Sequence, residues 1–111
     1  MVGNYFDLVP VINKENTWMI NEENIVIIKA DNKGIVNRFA IKYLKKPRMR
    51  EIELDGYGSF VWQKINGKRT IFDIINTISE ELGEEKELAE KRAAMFFEML
   101  RLHKLINFLN V

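Results

Sequence analysis

The spacing of apolar positions along the chain changes midway, from a strand-like period to a helical one. Thr17-Trp18-Met19-Ile20 and Ile25-Val26-Ile27-Ile28 are short runs rich in β-branched and aromatic residues. Asn21-Glu22-Glu23-Asn24 separates them, which predicts a hairpin. The second run is continuously apolar, as expected of a central strand covered on both faces. Arg48–Leu54 alternates, with Arg50, Ile52 and Leu54 on one side and Met49, Glu51 and Glu53 on the other. This is a strand, and Pro47 and the charges place it at a sheet edge. Between these strands, 34–46 fits two periods. Phe39, Ile41 and Tyr43 alternate, whereas Val36, Phe39, Ala40, Tyr43 and Leu44 share a helical face. A cap at Asn37 and a stop before Pro47 favour an extra basic helix, with Lys42, Lys45 and Lys46 at its negative end.

Three helices follow. Asp55 caps the first, whose stripe holds Phe60, Val61 and Ile65 and which Asn66-Gly67 ends. Thr70 caps the second, with Asp73 completing a capping box. Ile71, Ile74, Ile75, Ile78 and Leu82 form its stripe, and Gly83 stops it. The third runs from about Glu85 to Lys104, with glutamates at its positive end and Arg101 and Lys104 at its negative end. Residues 105–109 close the chain as an extended segment. Residues 1–16, punctuated by Pro10 and Asn13–Asn16, read as an irregular lead-in to one domain over 17–111. The fold class is α+β and winged-helix-like. A small three-stranded antiparallel sheet packs beside a C-terminal three-helix bundle, with the extra basic helix between strands 2 and 3.

Composition narrows the chemistry. The 111 residues contain no cysteine, which removes disulfides, thiolate metal sites and a cysteine nucleophile. His103 is the single histidine. Asp55 and Ser59 have catalytic residue types, but no spacing brings them to His103, so the expectation is a non-enzyme with no cofactor and no metal. No apolar run approaches the roughly 20 residues of a membrane span, and the N-terminus lacks a signal-peptide pattern. The expected location is cytoplasmic. Net charge is +1, yet Lys29–Arg50 holds eight bases and one acid, and Glu80–Glu90 holds six glutamates and one lysine. The basic stretch suits an acidic partner. A winged-helix DNA-binding regulator is the rival reading, but its recognition helix would lead with Glu84, Glu85, Glu87 and Glu90. Those carboxylates oppose phosphate binding, so no specific nucleic acid is expected.

The last helix carries apolar residues nearly all the way round over Ala93–Leu100, more than one buried face requires. An edge strand beside such a helix is the geometry of strand addition. The strand supplies main-chain hydrogen bonds and the helix supplies side-chain pockets.

The stretch from Leu54-Asp55 through Gly58-Ser59, Val61-Trp62, Ile65-Asn66-Gly67 and Thr70-Ile71 to Leu100–Phe108 resembles the PqqD-like family. The resemblance spans roughly residues 17–109 and is strongest over 54–83. It implies a peptide-binding protein of ribosomal precursor-peptide pathways. Such a protein captures the leader of a precursor as an added strand and presents it to a modifying enzyme, often a radical SAM protein. On this chain it implies pairing of the leader with Met49, Arg50, Glu51, Ile52, Glu53 and Leu54. The adjoining wall would be Ala93, Phe97, Leu100, Arg101 and Lys104, with Ala94, Phe96 and Met99 the competing register. The basic stretch 38–50 would attract an acidic leader. A homodimer through the same edge strand is the competing occupant.

Overall fold

The computed structural model describes residues 4–31 and 49–109. A 3-10 turn at Tyr5–Asp7 precedes β1 (Pro10–Ile12), β2 (Thr17–Ile20), β3 (Val26–Asp31) and β4 (Met49–Glu53). Helices α1 (Gly56–Trp62), α2 (Ile71–Leu82) and α3 (Lys86–Leu102) follow, and β5 (Ile106–Phe108) ends the order. The protein is therefore α+β, with small antiparallel sheets and three helices among the described residues. The expected basic helix, from about Asn37 to just before Pro47, lies outside the described residues. The chain divides into two compact units, Lys14–Ser59 and the remainder, with the boundary inside α1.

In the first unit of sequence, β2, β3 and β4 form a sheet in that order, antiparallel throughout. Asn21 builds the β2–β3 turn. Its side-chain oxygen accepts from the amides of Glu23 (2.9 Å) and Ile25 (3.0 Å). Asn24 takes φ 64°, a left-handed conformation that asparagine tolerates better than most residues. The central strand buries Val26, Ile28 and Ala30 on one face only. Ile27 is half-buried and Lys29 exposed on the other. The expectation of two covered faces is corrected: a run of four apolar residues hides an ordinary alternation that only Lys29 reveals.

One residue anchors this sheet. The Val26 carbonyl accepts from the Leu54 amide (3.0 Å), continuing the β3–β4 register by one step. The Val26 amide donates to the Ser59 hydroxyl (2.8 Å), and both residues are buried. Ser59 is brought there by α1, which Asp55 starts by accepting from the Gly58 amide (2.7 Å).

The other unit contains α2, α3 and the paired chain ends. Thr70 and Asp73 exchange both bonds of the capping box, and Gly83 stops α2 at φ 66°. Isoleucine is a mediocre helix former, costing at most ~0.7 kcal/mol against alanine. Burial returns about 1.5–3 kcal/mol for each of Ile71, Ile74, Ile75 and Ile78, so packing decides the conformation. α2 packs on α3 and on the 3-10 turn. The residues expected as an irregular lead-in carry that turn and β1, which pairs antiparallel with β5. The Leu8 carbonyl accepts from the Ile71 amide (2.9 Å), satisfying a donor at the α2 N-terminus.

α3 stops two residues before the expected Lys104. The Leu105 amide bonds the Leu100 carbonyl (2.9 Å) and the Lys104 amide bonds that of Arg101 (3.0 Å), with Lys104 at φ 60°. This is a Schellman stop with lysine in the position glycine favours. α1 likewise ends at Trp62, before the expected Asn66-Gly67, which instead form the following turn.

Two stability predictions follow from these contacts. Ser59→Ala strands the buried Val26 amide and should cost about 1–3 kcal/mol in denaturant unfolding. Lys104→Gly should raise stability by up to about 1 kcal/mol, read as a higher denaturant midpoint with an unchanged slope.

Candidate functional site

Antiparallel pairing fixes which main-chain groups of an edge strand point outward, because hydrogen-bonded and non-hydrogen-bonded pairs alternate. The Leu54–Val26 bond sets the phase for β4. Ile52 and Arg50, in step with Leu54, therefore bond inward to Ile28 and Ala30. The N–H and C=O groups of Met49, Glu51 and Glu53 point away from β3. Among the described residues β4 has one strand neighbour. This outer border is three residues long in hydrogen-bonding terms.

Side chains along the border alternate as the sequence expects. Glu51 and Glu53 are exposed, Arg50 and Ile52 half-buried, and Leu54 buried just past the strand. Lys29 stands directly across from Glu51 on the exposed face.

α3 has two apolar faces. Ala89, Ala93, Phe97 and Leu100 are fully buried. Leu88, Met95, Met99 and Leu102 recur at seven, four and three residues, which places them on one side of a helix. They are exposed by 48%, 75%, 36% and 68%, so this side is accessible. Phe96 and Ala94 are half-buried. Of the expected wall, Ala93, Phe97 and Leu100 thus belong to the core, where no side-chain atom is accessible to a peptide. Of the competing register, Ala94 and Phe96 are half-buried and Met99 is exposed. Two apolar faces on one helix cannot be ranked by sequence, because both show the same period.

The two basic wall residues are held in local structure. Arg101 donates through Nε (3.0 Å) and Nη2 (2.9 Å) to the two oxygens of Glu98, and the Tyr5 hydroxyl donates to Glu98 Oε2 (3.1 Å). The Arg101 fork lowers the Glu98 carboxyl below its usual range, helped by the Tyr5 bond. Burial, and then Glu98, push the Tyr5 hydroxyl upward. Tyr5 also meets Phe108 edge-on at 5.9 Å. The cluster clips the N-terminal turn to α3. The Lys104 carbonyl accepts from the Asn13 side chain (3.1 Å), a second clip between the chain ends.

Among the described residues no group of acidic or histidine side chains is arranged to hold a metal ion, and no helix is long and apolar enough to cross a membrane. The family comparison is specific. The model of the coenzyme PQQ synthesis protein D (PqqD) family matches residues 42–106, more than half of the chain. The chain belongs to the PqqD family, a family of recognition elements for ribosomal precursor peptides. Its members are non-catalytic accessory proteins. No curated protein and no solved structure matches the chain.

The family motif can now be read residue by residue. Leu54, Val61, Trp62, Ile65 and Ile71 are buried, Asp55 and Thr70 cap helices, Gly67 takes φ 76°, and Ser59 holds Val26. These residues build the fold.

The Glu98 cluster makes a pH prediction. A carboxyl lowered in the folded state stabilises it above the unfolded value, near 4.3, and loses that contribution as pH falls through the folded value. Glu98→Gln should therefore lower the urea midpoint at pH 7, and the difference from the parent should close as pH falls below the usual glutamate range.

Proposed function

We propose that this protein captures the leader of a ribosomal precursor peptide as a strand added to β4 and presents it to a modifying enzyme of the radical SAM class. The outward-facing main chain of Met49, Glu51 and Glu53, on a strand with one described neighbour, is the observation that carries this reading. Strand addition draws affinity from main-chain hydrogen bonds and specificity from pockets for alternate side chains. The exposed apolar side of α3, with Met95 and Met99, is by itself a further surface that could take apolar residues of a partner. Methionine suits a surface that must accommodate different partners. The winged-helix-like order, a three-stranded sheet followed by three helices, is part of this proposal, as is a cytoplasmic location.

Charge along β4 favours a foreign strand over a second copy. Antiparallel self-pairing about Glu51 sets Glu51 against its own copy. Pairing about Ile52 sets Glu51 against Glu53 twice, and pairing about Arg50 sets arginine against arginine. Directly opposed like charges destabilise a sheet pair. A leader avoids this by placing neutral or basic residues across from the two glutamates. The basic residues 38–48 lie outside the described residues, so attraction of an acidic leader through them belongs to the proposal.

The phase of β4 also selects the test. Proline at 52 removes an inward donor and damages the β3–β4 ladder, so it does not probe the border. Glu51→Pro removes an outward donor and spares that ladder. With a synthetic leader from a short peptide gene beside this one, titration should shift the Met49, Glu51 and Glu53 amides. Glu51→Pro should weaken binding about tenfold, consistent with loss of roughly one hydrogen bond. Unchanged affinity in a folded Glu51→Pro variant would exclude the border.

A further inference from the structure

On the exposed face of the β2–β3–β4 sheet, register sets side chains in rows. Thr17, Lys29 and Glu51 share one row, and Met19, Ile27 and Glu53 share the next. Glu51 and Glu53 are both exposed, and among the described residues neither carboxylate has a hydrogen-bond or ion-pair partner. The two rows differ in charge. Glu51 has the exposed Lys29 directly across from it, and opposite charges on facing strands offset one another. Glu53 faces the half-buried Ile27, so its row holds a carboxylate and no cation. Lys29 reaches that row only on the diagonal, about 7–8 Å away in a regular sheet.

We propose that Glu53 is the specificity-determining residue of the β4 border and selects a leader with a lysine or arginine across from it. The inference rests on leader capture at β4. The main-chain groups of Glu53 point away from β3, so a strand added there sets one of its own residues beside Glu53 on the same exposed face. Facing unlike charges stabilise such a pair and like charges destabilise it. A cation at this position completes the Glu53 row, as Lys29 does for Glu51 from the other side. A cation across from Glu51 would approach a carboxylate that Lys29 already offsets, so its gain is smaller. The preference is confined to one position, so a leader that is acidic overall can satisfy it.

The probes are blocked synthetic peptides of alternating valine and threonine, identical except for one central residue on the threonine face: lysine, glutamine or glutamate. Binding is read from the amide shifts of Met49, Glu51 and Glu53 during titration. The lysine peptide should bind about tenfold more tightly than the glutamate peptide, and the gap should narrow as salt rises. Glu53→Gln should level the three peptides, and Glu53→Lys should reverse their order. Glu51→Gln should narrow the gap less than Glu53→Gln does, and Lys29→Gln should widen it. Variants are compared where circular dichroism and unfolding midpoint match the parent, and the near-isosteric Glu53→Gln serves if Glu53→Lys does not fold. The proposal is overturned by equal binding of the three peptides to the parent, by an order that Glu53→Lys leaves in place, or by a larger effect of Glu51→Gln. Each of those results leaves strand addition standing. Absence of amide shifts with every peptide overturns capture at β4 itself, and this inference with it.

Discussion

The sheet depends on how the two main-chain groups of Val26 are satisfied. A fully buried amide and carbonyl must each find a partner, and burial excludes water from both roles. The carbonyl takes the Leu54 amide, and the amide takes the Ser59 hydroxyl. The first bond fixes the phase of β4 against β3, because a one-residue slip would turn Ile52 outward and Glu51 inward. The second ties the start of β3 to α1. Once the phase is fixed, the outward groups of β4 are fixed too. The Leu54–Val26 bond therefore determines which main-chain groups of β4 point away from β3.

Rigidity of this kind suits recognition by main-chain pairing. A border that slips presents different donors at different times and pays for ordering when a peptide arrives. The Ser59 bond and the Asp55 cap remove that freedom before binding. The chain ends are stabilised in the same way, by means independent of the sheet. β1 and β5 are too short to hold alone, and the Tyr5–Glu98–Arg101 cluster with the Asn13–Lys104 bond supports them.

Much of this was legible in the sequence, because the signals were local. Thr70 with Asp73, Gly83, and isoleucines at helical spacing give α2 to within a residue. The β2–β3 hairpin follows from two apolar runs around four polar residues. What was not legible depends on distance. β1 is three residues beginning with proline and acquires meaning only from Phe108, almost a hundred positions away. Ser59 looked like an ordinary helical serine because its partner, Val26, is remote in sequence. Edge phase is likewise silent, since alternation of side chains does not say which pairs exchange hydrogen bonds. For α3 the obstacle was ambiguity: two apolar stripes share one period, and burial of Phe97 rather than Phe96 is decided by tertiary packing.

Charge along β4 sorts possible strand partners without changing backbone chemistry. On β4, Arg50, Glu51 and Glu53 are spaced so that every two-fold pairing opposes like charges, while a foreign strand can choose its residues. Specificity here comes from the repulsive element as much as from the attractive one.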